Sequence, residues 1–135
     1  MRCSVHGHVL VVLGRGQLDM AGWLMALIAG RRFGKATRLQ DEGAYGRALA
    51  LFSINRRTLA KAKTASIPVL TLRLMNLIHL AEVASALRHP ELARSSLEEW
   101  LTTWEAVRKE TPSLDQVEAL AKWETWVRNQ LTTPT

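Results

Sequence analysis

A chain of 135 residues that is 47% apolar and 22% charged can bury one hydrophobic core and is too apolar for a disordered segment. Its one cysteine, Cys3, excludes an internal disulfide framework and fits a reducing, cytoplasmic compartment. The net charge of +6 is uneven: residues 1–75 carry twelve Lys or Arg against three Asp or Glu, and residues 76–135 carry six against nine. The first half should therefore attract anionic partners such as nucleic acid, lipid headgroups or acidic peptides.

Residues 1–19 read as an N-terminal extension in which only His8–Leu13 has strand character. Cys3, His6 and His8 are soft ligand types, but no carboxylate lies near them and zinc wants three or four ligands on a fixed frame, so no metal site is expected. The apolar run from Val9 to Ala29 is long enough to span a bilayer, yet Arg15 and Asp19 interrupt it. Each central charge costs roughly 2.5–3.5 kcal/mol on insertion. The default is a soluble chain, with membrane association through residues 9–29 on the cytoplasmic side as the alternative.

Asp19 would cap a helix from about Met20 to Glu42, ended by Gly43. Within it, Gly34-Lys35 suggests a phosphate-binding loop, but Ala29 stands where the first glycine belongs and Ala36 where the magnesium-binding hydroxyl belongs. The stretch is instead the middle of a helix, where Gly30 and Gly34 would let neighbours come close at a cost of about 1 kcal/mol each relative to alanine. Further helices are expected over 44–63, 68–87, 90–109 and 114–131, punctuated by Pro68, His89-Pro90 and Thr111-Pro112-Ser113. Ser113 and Gln116 fit a capping box. The helix over 68–87 is apolar all round and should be the buried centre. Trp100 and Trp104, four apart, should meet Trp123 and Trp126 on the next helix, as core or as an aromatic groove.

Ala36, Leu39, Gly43, Tyr45, Ala48 and Phe52 carry the spacing of a helix–turn–helix repeat, and Leu77, Leu80, Ala81, Ala93, Leu97 and Trp100 repeat the frame 45 residues on. On these residues, roughly 31–131 resembles the tetratricopeptide-repeat family, although Arg88 and Pro90 stand where the turn glycine and aromatic belong. The resemblance implies an all-α short solenoid of about five helices in antiparallel hairpins over residues 20–131, with a tail at 132–135; an unrelated antiparallel bundle is the alternative. It also implies a non-catalytic adaptor or assembly factor binding an acidic or helical segment of another protein, with no cofactor. First-helix residues Phe33, Thr37, Ile78 and Glu82 would line the groove, though their side-chain types do not make the carboxylate clamp of some relatives. Arg31, Arg32, Lys35 and Arg38 would steer the partner. The alternative is RNA or an anionic membrane surface held by the basic half. For catalysis the residues offer little: no serine sits in a nucleophile elbow, and His79 with Glu82, one turn apart, reads as a surface pair.

Overall fold

The computed structural model describes residues 20–61, 66–110 and 118–133, and within them the chain is all-helical. Five helices follow one another: α1 Met20–Asp41, α2 Tyr45–Ala60, α3 Ile67–Ala86, α4 Pro90–Glu110 and α5 Glu118–Thr132. Helices α1 and α2 form one antiparallel hairpin and α3 and α4 a second. α3 lies against α1, α2 and α4, while α5 packs on α4. The sequence expectations for the strand at 8–13, the Cys3/His6/His8 cluster, the Asp19 cap, the upstream part of the 9–29 run and the Ser113 capping box fall outside the described residues.

The two hairpin turns are built alike. At the end of α1, Gly43 has φ of +81°. Its N–H donates to Gln40 O at 3.0 Å, and the N–H of Ala44 donates to Leu39 O at 2.8 Å. That pair of bonds satisfies the last carbonyls of the helix and turns the chain back. At the end of α3 the geometry recurs with Arg88 at φ of 61°. The N–H of Arg88 donates to Ser85 O at 3.0 Å and that of His89 to Ala84 O at 2.8 Å. An L-residue pays for this left-handed conformation in backbone strain, which glycine avoids. Ala36, Ala48, Ala81 and Ala93 are all buried where helices cross, as are Phe52 and Leu97.

The central helix is α3. Fourteen of its twenty residues are buried. It is the one described helix long and apolar enough to cross a membrane, and the other helices, not lipid, cover it. Pro68 sits in its first turn, where a missing N–H costs nothing. Ser66 precedes it with extended backbone, yet its hydroxyl makes no cap bond and lies buried without a partner.

Two expectations are corrected. A Cβ built on Gly30 or Gly34 would meet no atom within 4 Å, so neither glycine serves close packing. His79 does reach Glu82, at 3.4 Å, but the histidine is buried rather than on the surface. Its ring lies 5.2 Å from Phe33 and stacks on Phe52 at 5.6 Å, and Nδ1 is 2.8 Å from Gln40 Oε1.

Candidate docking site

Helix α1 has two faces of different character. Ala29, Phe33, Ala36 and Leu39 face the core. At 100° per residue, Leu24, Leu27, Ile28, Arg31, Lys35 and Arg38 fall together on the opposite side. All six are exposed. The first three, with Trp23, expose 39–53% of their surface, although their size and apolarity suit an interior. Along this outer face the character changes from apolar to cationic in a single step between Ile28 and Arg31.

The face is exposed because it lies opposite the residues that α1 turns to the core. α1 has 22 residues and α2 sixteen. At 1.5 Å per residue the two span about 33 and 24 Å, so α1 is the longer by roughly 9 Å. The register is pinned by Asn55, whose Nδ2 donates to Ala29 O at 2.9 Å. The last turn of α2 therefore ends beside the exposed apolar residues. It brings the exposed Arg57 and Lys61 to the end of the hairpin that carries Trp23 and Leu24.

These cations are not spent on internal partners. Arg31, Lys35, Arg38, Arg57 and Lys61 form no ion pair or hydrogen bond with a described residue. Between residues 20 and 40, and between 43 and 81, the chain contains no Asp or Glu at all. Other basic residues are structural. Arg32 donates to Asn55 Oδ1 at 3.0 Å. Arg56 and Arg73 both grip Glu99 at 2.9 Å, joining α2, α3 and α4. Arg56 also donates to Ser95 at 2.8 Å.

The groove expected from the repeat frame is filled. Phe33 is 4% exposed and Ile78 0%, so both are interior residues, in contact with the core and out of reach of a partner. Thr37 is half-buried and donates to Gly34 O at 2.9 Å within its own helix. Glu82 is half-buried beside His79. Of the eight residues singled out in sequence, Arg31, Lys35 and Arg38 are brought together on one open face. Trp23, Leu24, Leu27 and Ile28 were missed as binding residues because an apolar decapeptide reads as core or membrane. The helical wheel could have found them, since it sets Leu24, Leu27 and Ile28 over the cations and opposite Phe33.

The tryptophans of α4 and α5 belong to the core. Trp100 and Trp104 stack with centroids 5.8 Å apart. Both are buried, as is Trp123. Among the described residues α4 and α5 are joined at this point not ring to ring but through Glu124, which accepts from Trp104 Nε1 at 2.9 Å. Burial raises the Glu124 carboxyl, but hydrogen bonds from Trp104 and Arg128 and the charge of Arg108 outweigh it and hold it below its ordinary range.

Comparison of the chain with protein families, with curated proteins and with solved structures finds no match.

Proposed function

We propose that the chain is a non-catalytic interaction module of tetratricopeptide-like hairpins, a cytoplasmic adaptor or assembly factor, and that the outer face of α1 is its docking surface. The observation that carries this reading is the run of four exposed large apolar side chains leading, on one helix, into cations that pair with no described residue. A contiguous apolar patch rimmed by charge marks an interaction site on a soluble domain. The buried polar groups serve the scaffold: Asn55, Asn76 and the Arg56–Glu99–Arg73 cluster hold helices together. His79 and Glu82 point to structure rather than to acid–base work, since Phe33, Phe52 and Gln40 enclose the ring. Single-stranded nucleic acid is disfavoured, because Trp23 lies near the start of α1 and Tyr45 in the first turn of α2, at opposite ends of the hairpin, and they leave the cations without a stacking platform between them.

The test is crosslinking capture with mass spectrometry. Wild type is compared with Arg31→Glu/Lys35→Glu/Arg38→Glu and with Leu24→Ser/Ile28→Ser, all at exposed positions, so the circular dichroism spectrum should not change. The expected result is one set of partners lost in both variants. Partners retained by both would remove α1 as the docking face.

A further inference from the structure

The apolar end of α1 and the cations around it are arranged for a particular kind of partner. We propose that this end of the molecule docks on an anionic membrane surface, with Trp23, Leu24, Leu27 and Ile28 entering the headgroup–acyl boundary. Arg31, Arg57 and Lys61 then meet lipid phosphates and carboxylates. The inference rests on the docking face proposed above and names the partner of that face.

Shape separates lipid from a partner protein. A helix seated on a protein usually lies in a groove between two walls. Here Leu24, Leu27 and Ile28 lie on the face of α1 opposite its core-facing residues, and no described helix covers them. An open apolar face fits a deformable surface, whereas a protein partner would have to supply a matching pocket. The composition agrees: tryptophan and bulky aliphatics form the inserting part, and indole favours the membrane–water boundary.

Charge placement agrees as well. The cations flank the apolar residues: Arg31 follows them along α1, and Arg57 and Lys61 stand beside them at the end of α2, within reach of the headgroups. They come from two helices: Arg31 from α1, and Arg57 and Lys61 from the end of α2. The nearest described acids on this hairpin, Asp41 and Glu42, lie at its far end, some 25 Å from Leu24 at 1.5 Å per residue. That is more than twice the screening length of about 8–10 Å at physiological salt. Along residues 20–40 of α1 and the whole of α2 a planar anionic surface meets no acidic side chain. Neither half suffices alone, since a short apolar patch or a few cations give weak, reversible binding and stable docking takes both.

The experiment uses the full chain with two kinds of vesicle, pure phosphatidylcholine and a mixture with phosphatidylserine at about one lipid in three. Binding is read by co-sedimentation, and insertion by a blue shift of emission that disappears in Trp23→Phe. The expected result is binding to the anionic vesicles only, weakened by salt. Leu24→Ser/Ile28→Ser should lower the partition about tenfold or more. Arg31→Gln/Arg57→Gln should lower it about fivefold per charge removed. No binding to anionic vesicles at low salt overturns the proposal, as does equal binding by Leu24→Ser/Ile28→Ser. Loss of captured proteins in both docking-face variants without any vesicle binding would sink the lipid assignment and leave the adaptor reading standing. Vesicle binding with no captured partner would do the reverse.

Discussion

Replacing Asn55 with alanine should be among the most damaging single changes in the first hairpin. Asn55 is fully buried at the middle of α2. Its Oδ1 accepts from Arg32 of α1 at 3.0 Å, and its Nδ2 reaches Ala29 O of α1 at 2.9 Å and Asn76 Oδ1 of α3 at 3.3 Å. Asn76, also fully buried, donates onward to Phe52 O at 2.9 Å. Truncation removes a bond to a charged donor, worth about 1.5 kcal/mol or more, and orphans the Asn76 oxygen at about 1–3 kcal/mol. Arg32 is only half-buried and can turn to water, so a total of about 3 kcal/mol is expected. Urea unfolding followed by circular dichroism should show the midpoint falling with an unchanged slope. For a chain of this length the melting temperature should drop by about 10 °C. Asn55→Ala and Asn76→Ala combined should be less damaging than their sum by about 0.5 kcal/mol or more, because the second truncation removes the orphan left by the first. A cost below about 1 kcal/mol for Asn55→Ala, or strict additivity, would refute the claim that this amide pair locks α1, α2 and α3.

Other changes test the backbone and the α4–α5 contact. Arg88→Gly should raise stability by about 1 kcal/mol by relieving the left-handed residue, while Gly43→Ala at the matching turn should lower it by a similar amount in the same unfolding assay. Gly30→Ala and Gly34→Ala should each stabilise by up to about 1 kcal/mol, as a new Cβ meets open space on both; destabilisation would mean that the glycines serve close packing after all. Glu124 is held below its ordinary value of 4.5, so its ionised form stabilises the fold above that value, and the contribution is lost as pH falls through the lower, folded value. Glu124→Gln should accordingly cost about 1–2 kcal/mol at neutral pH and flatten the loss of stability as pH falls below the ordinary carboxyl value.

Much of the architecture was legible in one dimension. Gly43 and the His89-Pro90 step mark the hairpin turns because a left-handed residue and a missing N–H are local properties, readable without tertiary contacts. α3 was recognisable as the centre because only a helix covered on several sides can carry apolar residues all round. The basic bias of the first half, and Arg31, Lys35 and Arg38 within it, follow from charge count and helical spacing. Tertiary packing decided the rest. Phe33 and Ile78 sit in the frame of a groove, yet whether such a side chain opens to solvent depends on how closely α1 and α3 approach, which no local pattern encodes. Asn55 and Asn76 look like ordinary surface amides in sequence, and only the crossing of three helices makes them a buried lock. Arg32 reads in sequence as one more steering cation, but Asn55 holds it in the hairpin. The outer face of α1 is open because no described helix packs against it. It gains further cations because the antiparallel return of α2 brings Arg57 and Lys61 alongside.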